Sequence, residues 1–280
     1  MRGLLKSDFG RLFKSVIFYI LLAVTFFGSM YSEYETWSDP ECTCVEHRAG
    51  DFWFLILMFV SIMVPMFVCT DFSCGMIRNK ITVGYSRAKV YASSLITSVT
   101  STLLIVVAWF LGYYPIGVAH FGFNNDNWPV ADLVLGYMGF VVMIIAFTAG
   151  IHFVCTLVTK KALVIVMSIL FVLLYTTFFQ PMVLIYGYSN ETVTVIKNEE
   201  ETEEGLVVTY TEEENPYYFE DGTPMKTAAR AVDTFFVPGQ IVMLSSMQKD
   251  RTSVFVGYDI VVTIIIVAVG NAVFARKNMK

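Results

Sequence analysis

Charge is scarce in this chain: only 15% of its 280 residues are Asp, Glu, Lys or Arg, while 56% are hydrophobic. A soluble domain carries about 25% charge, so this composition excludes an ordinary water-bathed fold and makes lipid the solvent of most of the surface. Histidine is scarcer still, at three residues, too few for most metal clusters and with no pair at helical spacing. A Gly-rich phosphate loop ending in Lys-Ser/Thr is missing, so the chain cannot hold ATP in the usual P-loop way. No nucleophile elbow occurs either, which leaves a membrane enzyme without its clustered groups. The five cysteines do not form a disulfide framework: Cys69, Cys74 and Cys155 lie in or beside apolar stretches, and only Cys42 and Cys44 fall in a polar one. A small-x-small cleavage pattern is also absent after the first apolar run, where Tyr31-Ser32-Glu33-Tyr34 follows, so that run reads as a span and not as a cleaved signal.

What the chain has is long uncharged stretches. About 20 apolar residues rising 1.5 Å each cross the roughly 30 Å hydrocarbon core. Six stretches qualify, at 15–32, 52–70, 90–113, 133–158, 162–186 and 258–275, and each must be helical because lipid offers backbone groups no partner. The last is the shortest, and Asp259 is expected at its interface end. The fold class is therefore an all-α integral membrane protein of six transmembrane helices, a single domain over 1–280.

Orientation follows from the cations in the connections. Residues 1–14 carry Arg2, Lys6, Arg11 and Lys14; 71–89 carry Arg78, Lys80, Arg87 and Lys89; 159–161 carry Lys160 and Lys161; the tail carries Arg276, Lys277 and Lys280. The alternate connections hold only Arg48 at 33–51 and none at 114–132. Both termini are expected in the cytoplasm of a bacterial cell, beneath its plasma membrane. The third outer segment, 187–256, is acidic and reads as a small extracytoplasmic insertion, exempt from the cation rule by its length. Within it, β-rich runs at 192–196 and 207–210 flank an acidic turn at 198–205 and predict a hairpin. Thr223 and Pro224 predict a helix from Met225 to Phe236, ended by Pro238-Gly239.

In residues 2–14, Leu5, Phe9, Leu12 and Phe13 share one helical face, and Lys6, Arg11 and Lys14 lie off it, as in an interfacial helix. Cys42-Thr43-Cys44 with His47 lacks a fourth metal ligand and reads as a plain loop. Glu199, Glu200, Glu201, Glu203 and Glu204 read as a solvated loop tip. Asn190-Glu191-Thr192 matches a glycosylation acceptor. Inside the spans, Pro65 predicts a kink, His152 and Asn271 need interior partners, and Ala146 with Gly150 has the small-xxx-small spacing of close helix contacts.

The informative segment is 71–91: Asp71-Phe72-Ser73-Cys74-Gly75-Met76-Ile77-Arg78-Asn79-Lys80, then Gly84-Tyr85-Ser86-Arg87 and Tyr91. It is longer than a plain helix-helix turn needs, and its Gly, Arg, Asn, Lys and Tyr suit a short helix docked on another protein. Here the chain resembles the type-2 ABC transporter permeases, in which an acidic residue ends the second span and a Gly-x-Ile-Arg-Asn-Lys-like run and a Gly-x-Ser-Arg run follow. The opening Leu4-Leu5-Lys6-Ser7-Asp8-Phe9 with Arg11-Leu12-Phe13-Lys14 is similar to that family's connecting helix. Phe236-Val237-Pro238-Gly239-Gln240 and the ending Gly270 through Phe274 to Lys277 also fit. The enlarged acidic loop between the fifth and sixth spans departs from the pattern.

The resemblance implies the permease subunit of an exporter that pairs with itself or a similar chain in the lipid and binds two separate ABC ATPase subunits, which hold the ATP and Mg. Asp71, Gly75, Arg78, Asn79, Lys80, Gly84, Tyr85 and Arg87 would then couple to the ATPase, with Lys80 on the rim of the contact. No catalytic residue, cofactor, metal or nucleic-acid site is expected in this chain. The rival readings are an ion-coupled secondary transporter and a membrane-anchored sensor or scaffold with an acidic outer loop.

Overall fold

The computed structural model describes the backbone of residues 1–36, 45, 50, 52–123, 129–202, 205–245 and 251–277, and the side chains of these except 36, 194–202, 205–210 and 245. The expectations for Cys42, Cys44, His47 and the acidic tip Glu199, Glu200, Glu201, Glu203 and Glu204 lie outside the described side chains. In chain order the elements are α1 (Arg2–Leu12), α2 (Val16–Thr36), α3 (Trp53–Ser73), α4 (Met76–Thr82), α5 (Arg87–Phe121), α6 (Val130–Leu157), α7 (Lys161–Leu174), a π-helical turn (Tyr175–Phe179), α8 (Gln180–Tyr188), β1 (Thr192–Thr202), β2 (Gly205–Glu214), α9 (Pro224–Phe235), α10 (Val237–Ser245) and α11 (Thr252–Arg276).

Among the described residues six helices are long and apolar enough to cross a membrane: Val16–Glu35, Trp53–Ser73, Arg87–Phe121, Val130–Leu157, Lys161–Tyr188 and Thr252–Arg276. The third is 35 residues long, about 52 Å at 1.5 Å per residue, far more than the hydrocarbon needs. It continues past Pro115 to a glycine with positive φ, Gly122. α3 likewise runs through Pro65 as one helix.

The chain divides into two compact units, residues 1–173 with 240–280, and 174–239. In the first unit α2 and α5 each carry a buried polar stripe and an exposed apolar face. α2 buries Thr25, Ser29 and Glu33 while presenting Ile20, Val24 and Phe27 outward. α5 buries Ser93, Ser94, Thr97, Ser98, Ser101 and Thr102 and exposes Val107, Phe110 and Leu111. Polar side chains that would be costly in hydrocarbon find partners between helices instead. The Thr148 hydroxyl of α6 donates to Thr102 Oγ1 at 3.1 Å, and His152 Nε2 lies 3.2 Å from Ser94 Oγ. His152 is thus an interhelical hydrogen-bonding group. Away from that seam, Trp53 stacks on Phe140 at 4.4 Å beside Trp109, and Trp109 stacks on Tyr113.

The last helix begins at Thr252, six residues before the expected start at 258, and Asp259 within it is 1% exposed and accepts a hydrogen bond from Gln240 Nε2 of α10 at 3.2 Å. Gly150 makes no close contact, whereas Gly139 lies against Thr252, where an added Cβ would be 3.1 Å away, and Gly270 lies against the Tyr91 hydroxyl. Spacing alone does not say which small residues face a neighbour.

The second unit holds an antiparallel hairpin and α9. β1 and β2 pair from Thr192 opposite Glu214 to Thr202 opposite Gly205, with a register irregularity between Ile196 and Asn198. The strands therefore run into the segment expected to be turn. α9 starts after Thr223 with Pro224 in its first turn, but Pro238 opens α10 instead of closing α9, as suits a residue tolerated in a helix's first turn. Lys226 and Arg230 each sit 3.1 Å from Asp221, and the bond from Lys226 holds that carboxyl below its ordinary range.

The packing of α2 on α5 yields a test. A Cβ at Gly112 would strike the Phe26 carbonyl and the Ser29 hydroxyl, whereas at Gly136 it would meet nothing within 4 Å. Overpacking costs about 1–3 kcal/mol. Gly112→Ala should lower the unfolding midpoint in detergent and Gly136→Ala should not; equal midpoints would mean that the two helices part freely.

Candidate functional site

The segment between α3 and α5 is built around α4, a helix of seven residues bracketed by two left-handed glycines. Gly75 has φ of +68° and Gly84 of +100°, a region that costs other residues roughly 1 kcal/mol or more. These reversals let the chain leave α3, form α4 and enter α5 within a few residues. One side of α4 turns inward. Ile77 is buried with Leu4, Val90, Tyr91 and Phe274, so the apolar contact ties α1, α4, α5 and α11 together, and Tyr85 packs on its edge.

Beside that apolar contact lies a cluster of ions. Asp8 and Asp71 are each 1% exposed. The Lys80 ammonium donates to Asp8 Oδ1 at 2.6 Å and to Asp71 Oδ2 at 3.3 Å. Arg11 Nη2 donates to Asp71 Oδ2 at 2.8 Å, its Nη1 pairs with the other oxygen, and its guanidinium covers the Phe67 ring at 4.1 Å. Ser93 Oγ completes Asp8 by donating to Oδ2 at 2.7 Å. Two carboxylates and two cations from α1, α3 and α4, with a hydroxyl from α5, therefore share one site. Burial pushes the Arg11 guanidinium down from its ordinary value, and the charge of Asp8 opposes this.

Arg87 has a different task. Its Nη1 donates to the carbonyls of Ala275 at 2.8 Å and Lys277 at 2.7 Å, closing the end of α11 where carbonyls lack intrahelical partners. Of the eight residues expected to act together, Asp71 and Lys80 meet in the ion cluster, and Gly75 and Gly84 set the turns. Tyr85 packs and Arg87 caps, while Arg78 and Asn79 are exposed. Lys80 is not on the rim: its side chain is 12% exposed and held by both carboxylates.

Asp8, Arg11 and Ser93 were not among those eight. The signal available for Asp8 was its position as the one acid in a helix carrying Arg2, Lys6 and Arg11. α1 turns Leu4, Asp8 and Leu12 toward the other helices and leaves Phe13 47% exposed. A buried acid at the centre of an apolar stripe is invisible to a hydrophobicity pattern.

Chemically the arrangement is a closed set of ion pairs that ties α4 to α1 and α3. Among the described residues no group of three or more His, Cys, Asp or Glu could hold a metal. The outer side of α4 carries Arg78, Asn79, Thr82 and Val83, all exposed, with Val83 at 76%. On its inner side Lys80 and Ile77 join α4 to α1, α3, α5 and α11. No protein-family model matches the chain, and no curated protein matches it.

Removing one partner from a buried ion pair costs about 3–5 kcal/mol, and the partial exposure of Arg11 and Lys80 moves the expectation to about 3. Asp8→Ala and Asp71→Ala should each lose about that much in denaturant unfolding, whereas Arg78→Ala should stay within about 0.5 kcal/mol. Equal stabilities for Asp8→Ala and Arg78→Ala would show that the ion cluster does not hold α4 in place.

Proposed function

We propose that this chain is the permease subunit of an ATP-binding-cassette exporter, driven by ATP hydrolysed on separate subunits. The observation that carries the reading is α4 itself. It is rigidly held on its inner side by the Asp8, Arg11, Asp71 and Lys80 cluster, and it offers a charged and polar outer side to something else. The sequence resemblance set out above gives that something its identity, an ABC ATPase. α1 lies at the cytoplasmic interface, both termini are cytoplasmic, the α4 connection faces the ATPase, and 187–256 is extracytoplasmic, as the Lys and Arg asymmetry requires. Closure of two ATPase subunits would push α4, and the linkage would tilt the spans of a permease pair from an inward- to an outward-facing state.

An ion-coupled secondary transporter is the second reading. It draws on Glu33 and Asp259, buried carboxyls within spans at 1% exposure each, since intramembrane acids often mark ion paths. Their positions on separate helices, with Asp259 bonded to Gln240, weigh less than the built connection.

Arg78→Glu should leave insertion and unfolding unchanged but weaken co-purification of the ATPase in mild detergent, by about 2–5 kcal/mol if Arg78 meets a buried partner charge. Lys80→Ala should destabilise the chain itself. Unchanged assembly and ATP-dependent transport in Arg78→Glu would remove α4 as the docking element, and transport by the isolated chain under an ion gradient would favour the second reading. Orientation is tested separately: in a background without native cysteines, a cysteine at position 200 should react with an impermeant reagent on intact cells. Reaction only after lysis would invert the topology.

A further inference from the structure

The ends of α3, α7 and α11, the start of α4 and the link at 159–160 surround a cleft of about 730 Å³ whose lining holds none of Asp8, Arg11, Asp71 and Lys80. Its polar lining is Arg78, Lys160, Lys161 and Lys277 with Ser73 and Thr159, and among the described residues no carboxylate contributes. The volume falls in the range of small-molecule sites, roughly 300–1,000 Å³. Four cations around one space repel each other unless an anion enters it.

Lys277 is the anchor. Its ammonium donates to the Thr156 carbonyl at the end of α6 and lies 4.8 Å over the Phe72 ring. Burial pushes this ammonium down from its ordinary value, so a nearby anion would restore what solvent no longer supplies. Lys160 and Lys161 are exposed at the opposite rim.

The position of the cleft identifies the anion. Ser73 is the last residue of α3, Lys161 the first of α7, and Lys277 follows α11, so the cleft sits where apolar spans end and lipid headgroups lie. Directly beyond it, α7 exposes Leu163, Val166, Met167 and Leu170, each between 47% and 53%, an apolar surface continuous with the rim. Phe72 and Ala162 add an apolar wall. A free phosphate would use the cations alone, whereas a phospholipid uses both the cations and the α7 surface.

We propose that this cleft binds the phosphate headgroup of an anionic phospholipid whose acyl chains lie along α7. The ammonium groups of Lys160, Lys161 and Lys277 neutralise the phosphodiester, and Ser73 and Thr159 add hydroxyl donors. The proposal needs only that these helices span a membrane and does not depend on an ATPase.

The test is titration of the detergent-purified full chain with phosphatidylglycerol, read by native mass spectrometry, with phosphatidylcholine and soluble glycerol phosphate as the other arms. Phosphatidylglycerol should be preferred over phosphatidylcholine. A cation near an anionic lipid contributes roughly fivefold, so Lys160→Gln/Lys161→Gln/Lys277→Gln should weaken phosphatidylglycerol binding at least tenfold. The double variant of the two exposed lysines, which leaves the packed Lys277 in place, should weaken it several-fold. The charge-matched Arg2→Gln/Lys6→Gln/Lys14→Gln should stay within about twofold. Equal loss in that control would mean that net charge alone attracts the lipid. Binding of glycerol phosphate as tight as that of phosphatidylglycerol would mean a free-phosphate site. A triple variant that keeps its lipid but loses a protein partner would mean a protein-docking cleft. Any of these three results overturns the proposal.

Discussion

Asp8 and Asp71 lie buried, and each is compensated by a cation brought from another part of the chain. That requirement organises the end of the molecule where α1, α3, α4 and α5 converge. Taking charges out of water costs several kcal/mol apiece and is recovered only when geometry and hydrogen bonds are good. Lys80 satisfies both carboxylates at once, Arg11 adds a second contact to Asp71, and Ser93 fills the remaining oxygen of Asp8. A cluster built in this way resists small displacements, because moving any one element leaves a charge unpaired. The direction of α4 and the seat of α1 both follow from it.

Between the ends of the bundle a different balance operates. Apolar burial gives little drive for helix association when the outside is as apolar as the inside. The first unit instead turns its hydroxyls inward, along the Ser and Thr face of α5 and the Thr148 and His152 positions of α6, and lets backbones approach at Gly112, Gly139 and Gly270. Exposed leucines, valines and phenylalanines on the outer faces are then the expected lipid contacts and no defect of packing.

α4 joins these two regimes to a surface. Its inner side is fixed by the ion cluster and by Ile77, its ends are fixed by Gly75 and Gly84, and Arg87 locks the following helix to the end of α11. Arg78 and Asn79 remain outward. The free side carries Arg78, Asn79, Thr82 and Val83 outward together.

Sequence by itself determined that there are six membrane-length helices, because a run of apolar residues is a local property and the hydrocarbon thickness sets its length. It also located the connection that holds α4, since an unusually long polar segment with two glycines is visible without a partner. The hairpin and the start of α9 were legible for the same reason: turn and cap preferences act within a few residues. Only the tertiary structure decided that Asp8, Arg11 and Ser93 belong with Asp71 and Lys80, because those contacts span from 60 to 85 residues of chain. Only it paired Asp259 with Gln240 and moved the close helix contacts away from Gly150. Hydropathy reads a buried ion as a surface residue, and a glycine carries no mark of the helix it will face. Pairing of charges across distant segments is a property of the folded chain, where mutual compensation and not the single residue sets the energy.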